Sequence, residues 1–265
     1  MTQVQGSTVY GPVDSWRMGR SLGIDLLYTS SICSFRCVYC QLGRIETPTS
    51  ERREWVPVAR ILEDLAQSDW QSADIVTFSG SGEPTLGANL GEAIRAVKAF
   101  TGKPVAVLTN STKLEDPGVR AELAEADKVF CKLDAADDAT LARIDRPVDG
   151  ITVASIVRGI KALRAEFKGF LAIQSMWMPA NYKDFEAFAG LVREIRPDEL
   201  QLNTPTRPVP RGWFLAARGN YSLDDAPYEA LPLRHLNREE AHQLGEAMRQ
   251  LTGVPVTNVY RDAST

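Results

Sequence analysis

The sequence predicts an α/β protein. Residues 1–265 read as a single domain: six strand–helix units form an open, partial (β/α)6 barrel over about residues 20–203, and a C-terminal extension of loop and helix, 204–265, lies over the barrel mouth. Three observations predict it. Short apolar runs alternate with amphipathic segments about six times along the chain. The runs are continuously apolar, as strands buried on both faces are. Repeated strand–helix units imply a parallel sheet, and six units are fewer than the eight that close a full barrel.

The predicted strands are Gly23–Leu27, Asp74–Ser79, Pro104–Thr109, Lys128–Leu133, Phe170–Met176 and Glu199–Asn203. Helical periodicity fills the intervals. Val58–Gln67 places Ile61, Leu62 and Leu65 on one face, and Leu90–Phe100 does the same with Ile94, Val97 and Phe100. Val119–Ala126, Ile151–Phe167 and Phe185–Ile195 follow the same pattern. The rhythm breaks over Thr204–Leu236, which holds five prolines together with Arg207, Arg211, Arg218, Trp213 and Phe214. A connection this long is usually functional or disordered. A last helix, Arg238–Leu251, and a strand at Pro255–Val259 complete the chain.

Composition narrows the function classes. Hydrophobic residues make up 44% and charged residues 24%, which is ordinary for a globular chain and excludes wholesale disorder. The formal net charge of −4 weighs against a polyanion-coating protein, although residues 204–218 are locally basic. Four cysteines in 265 residues are too few for a disulfide scaffold. No secretory signal pattern opens the chain and no apolar run is long enough to span a bilayer, so a cytoplasmic protein with reduced thiols and no membrane partner is expected.

Three of the four cysteines form a C-x3-C-x2-C cluster, Cys33-Ser34-Phe35-Arg36-Cys37-Val38-Tyr39-Cys40. Three thiolates on one short loop suit a soft metal centre. Iron–sulfur clusters normally use four cysteines, so three leave one iron open, as a catalytic metal requires. Zinc is the plainer reading, but structural zinc prefers paired knuckles, and the histidines, His235 and His242, come much later. Cys131 reads as a small buried hydrophobe.

The cluster resembles the signature of the radical S-adenosylmethionine (SAM) superfamily. Tyr39, directly before the third cysteine, fits it as well. Gly11–Gly43 resembles a branch of uncharacterised proteins related to tRNA 4-demethylwyosine synthase. The resemblance implies an oxygen-sensitive enzyme with a partial TIM barrel, in which Cys33, Cys37 and Cys40 hold a [4Fe–4S] cluster and SAM chelates the open iron. Reductive cleavage of SAM then yields a 5′-deoxyadenosyl radical that abstracts hydrogen from a substrate, here unidentified. A small metabolite or a peptide or protein side chain is favoured. A reductant such as flavodoxin or ferredoxin is implied.

The ends of the predicted strands carry the other candidates. Ser79-Gly80-Ser81-Gly82-Glu83-Pro84 resembles the superfamily's GGEP-type motif, so the resemblance assigns the SAM ammonium to the backbone at Gly80 and Gly82 and to Glu83. Thr109 and Asn110 sit where barrel enzymes place ligand-binding residues. Lys132 and Asp134 point to one side of their strand. By resemblance they contact SAM; a sharper alternative makes Lys132 a Schiff-base lysine, with Asp134 its catalytic neighbour. Gln174 and Ser175 interrupt the fifth strand and Asn203 ends the sixth; the resemblance directs them to ribose and adenine. Arg143, Asp145 and Arg146 offer one anion site, and Arg207 with Arg211 another, although solvated charge is the ordinary reading of the first group.

Two other functions stay open. A tRNA-modifying enzyme would follow from the wyosine branch, but the net charge and the lack of cysteines for a second cluster stand against it. A non-enzymatic iron–sulfur electron carrier would want four thiolates and a small fold.

Overall fold

The computed structural model describes residues 6–28, 30–218, 226–231 and 233–260. Its main sheet has eight strands: β1 (Val9–Ser15), β2 (Gly19–Ile24), β5 (Ile75–Phe78), β6 (Val105–Thr109), β7 (Lys128–Lys132), β8 (Phe170–Met176), β9 (Glu199–Asn203) and β12 (Val256–Asn258), in that spatial order. β1 runs antiparallel to β2, and every other pairing is parallel. The sheet curls into a half-barrel whose edges are β1 and β12. Two small two-stranded sheets lie outside it: β3 (Ile32–Cys33) pairs with β4 (Thr47–Pro48), and β10 (Val209–Pro210) with β11 (Ala230–Leu231).

The helices are α1 (Val58–Ala66), α2 (Leu90–Thr101), α3 (Pro117–Leu123), α4 (Asp138–Ile144), α5 (Val153–Glu166), α6 (Phe185–Ile195) and α7 (Arg238–Thr252). Their apolar stripes cover the convex face of the sheet. There Val76, Val105, Val107, Val129, Cys131, Leu171, Ile173 and Leu200 meet Ile61, Ile94, Val97, Val119, Ile160 and Val192 in one cluster that also takes in Val9 and Val256. Residues offset by one position turn inward instead. Ile75, Ala106, Phe130 and Ala172 form a second cluster on the concave side, closed below by Met18, Leu108 and Phe170. Burial on both faces is why these strands carry no polar alternation. It also puts Cys131 in the outer core, as packing rather than as a ligand.

All six predicted strands are present. The first ends earlier than predicted, at Ile24, because Asp25 turns the chain by accepting bonds from the N–H groups of Leu27 and Tyr28. Pro255–Val259 joins the sheet as a seventh parallel strand. β1 was not predicted; Gly11-Pro12 inside it is a turn signal, and the strand accommodates it with an irregular register. Helix α4, also unpredicted, is short and starts at an Asp137 cap. Phe100, expected on the buried face of α2, is 41% exposed and stacks edge-on against Trp70.

Helix ends follow local chemistry. α5 starts at a capping box, in which Thr152 Oγ1 accepts from Ser155 N and Ser155 Oγ accepts from Thr152 N. Thr152→Ala removes the cap and is expected to lower stability by about 1 kcal/mol, read as a fall in the denaturant midpoint at unchanged slope.

Candidate active site

The cysteine loop has almost no secondary structure, so its backbone bonds outward. On one side lies the turn after β5. Ile32 N donates to Ser81 O (2.8 Å) and Glu83 N donates to Ile32 O (3.1 Å). This approach needs glycine: a Cβ on Gly82 would stand 1.7 Å from Ile32 O, and its φ of +152° is one that side chains avoid. Gly80, at φ +123°, packs as closely on Asp25, whose carboxylate accepts from Ser81 N and Ser81 Oγ. On the other side lies the segment after α4. Arg36 N donates to Asp145 O, Val38 N to Ile144 O and Val148 N to Ser34 O, each at 2.8–2.9 Å. Thr49 N donates to Cys33 O from below (3.0 Å).

Held this way, Cys33, Cys37 and Cys40 line a cavity of about 380 Å3 on the concave side of the sheet, within the ~300–1,000 Å3 of small-molecule sites. Tyr39, Gly80, Gly82, Glu83, Thr109, Asn110, Lys132, Asp134, Gln174 and Asn203 line it too. Ser175 does not. Gln174 and Met176 face the cavity, so Ser175 between them turns to the convex side, where it is buried.

Glu83 is 2% exposed and is the hub of one wall. Its Oε1 accepts from Thr85 N (3.0 Å), Thr85 Oγ1 (2.6 Å) and Thr109 Oγ1 (2.7 Å), and its Oε2 accepts from Asn110 N. Burial pushes its pKa up against these bonds. Oε2 keeps room for a second donor from the cavity. Asn110 carries the wall to the cysteines: its Nδ2 donates to Ser34 Oγ (2.8 Å) and lies 3.5 Å from Cys33 Sγ.

Lys132 is the hub of the opposite wall. Its Nζ pairs with Asp134 Oδ2 and with Asp145 Oδ1 (2.6 Å), and it faces the rings of Tyr39 and Phe35. Tyr39 OH donates to Asp134 Oδ2, and Met176 N donates to Asp134 Oδ1 (2.9 Å). Burial alone would lower the Lys132 pKa, but the two carboxylates outweigh it and raise it. A Schiff-base lysine must be a neutral amine; Lys132 is held as a cation between two acids, which argues against that alternative.

Asp145 is therefore a support for the cysteine loop and the partner of Lys132, not part of an anion site. Its neighbours do not face an anion either. Arg143 Nη2 donates to Ala180 O (2.8 Å) and Thr140 Oγ1, and Arg146 O accepts from Arg36 Nε. Of the second predicted pair, Arg211 forms an exposed ion pair with Glu229 (2.7 Å), whereas Arg207 lines the cavity. The Arg218 side chain lies outside the described residues.

The donor set suits an iron–sulfur cluster. Burial pushes the Cys33 thiol up to about 12 and raises Cys37 and Cys40, so the charged thiolates need a cationic centre. Cys33 Sγ accepts from Phe35 N (3.4 Å), the kind of bond that tunes cluster sulfurs. A single zinc ion needs its ligands to converge on one point, and among the described residues no three such side chains do.

The family model of the radical SAM superfamily matches residues 27–192. The UPF0026 protein slr1464 of Synechocystis sp. is 44% identical over 246 residues, 92% of each chain. The UPF0026 protein MJ1312 of Methanocaldococcus jannaschii is 34% identical over 75% of this chain and 64% of its own. Among solved structures, TYW1 with a lysine-pyruvate adduct bound superposes with a TM-score of 0.61 at 16% identity, over 87% of this chain and 73% of that one. At that identity the likeness is one of fold.

Lys132→Met would leave Asp134 and Asp145 buried without a countercharge. It is expected to cost about 3–5 kcal/mol, measured by chemical denaturation, with part of the loss recovered in Lys132→Met/Asp145→Asn.

Proposed function

The chain belongs to the radical SAM superfamily, whose cofactors are a [4Fe–4S] cluster and SAM, and we propose that Cys33, Cys37 and Cys40 hold the cluster while the surrounding strand ends hold SAM. The observation that carries this reading is the shared cavity: three free thiols and the ends of β5 to β9 face one space. When bound, the two cofactors supply a carbon-centred radical that abstracts hydrogen from the substrate.

The chain's own residues divide the work. Glu83 Oε2 and the backbone at Gly80 and Gly82 accept the SAM ammonium. Thr109 and Asn110 are fixed by Glu83, and Asn110 couples this wall to Cys33. Lys132 and Asp134 lie together as an ion pair beside the cysteines and would meet the ribose or carboxylate end of SAM. Tyr39 is locked by Asp134 and keeps its ring against the cation. Gln174 and Asn203 project inward from adjacent strands, in register at Gln174↔Gln201 and Met176↔Asn203, and suit ribose and adenine.

The chain functions as one domain, with 204–265 as an extension over the mouth. Arg207 Nη1 donates to Gln41 Oε1 (2.9 Å) and Gln41 Nε2 to Ala217 O (3.1 Å), and a Cβ on Gly43 would stand 2.1 Å from Gly212 O. These contacts support an extension that covers the site and sheds water from it. Contacts that bound the cavity along the cysteine loop favour a small metabolite or one inserted side chain over a tRNA. Among the described residues no helix is long and apolar enough to cross a membrane. We place the enzyme in the cytoplasm, where a flavodoxin or ferredoxin supplies the electron.

Anaerobic reconstitution with iron and sulfide is expected to give a brown protein. Its reduced form should show an EPR signal that changes with SAM, and it should form 5′-deoxyadenosine. Cys33→Ala, Cys37→Ala and Cys40→Ala should each lose all of this, and Cys131→Ala none. A Cys37→Ala variant that still cleaves SAM would overturn the ligand assignment. Glu83→Ala is expected to weaken SAM binding and cluster retention together, measured by equilibrium dialysis and iron content, because Glu83 fixes Asn110 as well as facing the cavity.

A further inference from the structure

Three cations line the cavity among the described residues: Lys132, Arg17 and Arg207. Lys132 is neutralised by two carboxylates. The acids that line the cavity are committed elsewhere, Glu83 to four hydrogen bonds and Asp134 to Lys132, Tyr39 and Met176 N. Among the described residues neither Arg17 nor Arg207 has an ion-pair partner. Arg17 lies in the turn between β1 and β2, with its guanidinium 5.3 Å from the Trp16 ring centroid and its Nε buried without a hydrogen-bond acceptor. Arg207 follows β9, and among the described residues its hydrogen bond goes to the neutral amide oxygen of Gln41 (2.9 Å), one residue past Cys40.

Arg17 is half-buried with its Nε fully covered, Arg207 is exposed at the rim, and two like charges that line one cavity repel each other. Burial, and then the charge of Arg207, bring the Arg17 pKa down to about 10. A single oxyanion would relieve both, through the two-pronged geometry that guanidinium groups offer carboxylate and phosphate. Neither arginine belongs to the strand ends assigned to SAM. They come from the first hairpin and from the extension, and Gln41 sets Arg207 at the edge of the cysteine loop.

We propose that Arg17 and Arg207 bind an oxyanion, a carboxylate or a phosphate, carried by the small molecule from which hydrogen is abstracted. The word substrate here rests on the function proposed above; the anion site itself does not.

The test uses the full chain, anaerobically reconstituted, left unreduced, with SAM saturating so that the open iron position is filled. Inorganic phosphate and malonate are titrated separately against chloride at equal ionic strength, and tryptophan fluorescence and the melting temperature are followed. Wild type is expected to give a saturable response to one of them at millimolar concentration or below. Tighter phosphate binding assigns a phosphate ester, and tighter malonate binding a carboxylate. Arg17→Gln and Arg207→Gln should each weaken the response at least tenfold, and Arg17→Lys and Arg207→Lys less, with circular dichroism confirming the fold. No saturable response in wild type, unchanged affinity in both glutamine variants, or binding that disappears when SAM is added would each overturn the proposal. Wild type that cleaves SAM on reduction but binds neither probe defeats the anion site alone. Wild type that binds a probe but never cleaves SAM defeats the proposed cofactor assignments and leaves the anion site standing.

Discussion

A loop that presents three thiols to one space cannot also satisfy its own backbone. The residues from Ile32 to Cys40 make only a two-residue strand, and their N–H and C=O groups are taken up by three other segments. Much of the site's construction answers to that constraint. The turn after β5 must come within contact distance of Ile32 O, which is why Gly82 has no side chain. The end of α4 and the segment after it offer Ile144 O, Asp145 O and Val148 N to the loop, with Arg146 between them at a positive φ of 48°. An unpaired buried backbone group costs about as much as a lost hydrogen bond, so this scaffold holds the loop in place before any cofactor arrives.

Buried charge is handled by the same segments. Asp145 supports the loop through its backbone and reaches Lys132 through its side chain. Glu83 closes the opposite wall through Thr109 and Asn110. On these walls Lys132 is paired with Asp134 and Asp145, and Glu83 accepts four hydrogen bonds, which offset much of the cost of burying these charges. A pre-paired wall barely reorganises when a zwitterion such as SAM enters, so little of the binding energy is spent on rearranging it.

The sequence carried most of the fold and part of the site. The strands were legible because both faces of the sheet are buried, so β5 to β9 read as continuous apolar runs. Gly80, Gly82 and Glu83 were legible because their turn follows a three-cysteine loop and resembles the GGEP-type motif, and the cysteines because of their spacing. The misreadings concern which way a side chain faces and what it meets once the chain is folded. Ser175 looked like a cavity residue because it is polar next to Gln174, but the pleat alternates and only one of two neighbours can face in. Asp145 lies beside Arg143 and Arg146 and looked like surface charge, whereas α4 brings it back to Lys132 at the end of the preceding strand. Asp25, which turns the end of β2 and anchors the glycine turn, is a lone acid in an apolar stretch; a buried acid at a strand end was the available signal.

Arg17 shows the same limit from the other side. In the sequence it is one of several charges around the first hairpin, with no motif to mark it. In the fold the hairpin returns along the open edge of the sheet, and β9 brings Arg207 to the same cavity. An open half-barrel makes this geometry available: a closed barrel would fill its interior with packed layers of side chains, whereas here β1 and β12 do not meet. The gap admits a turn residue and an extension residue from opposite ends of the chain to a cavity otherwise lined by strand ends and the cysteine loop. The openness that distinguishes this sheet from a complete barrel is thus what lets its interior acquire charges that the strands do not carry.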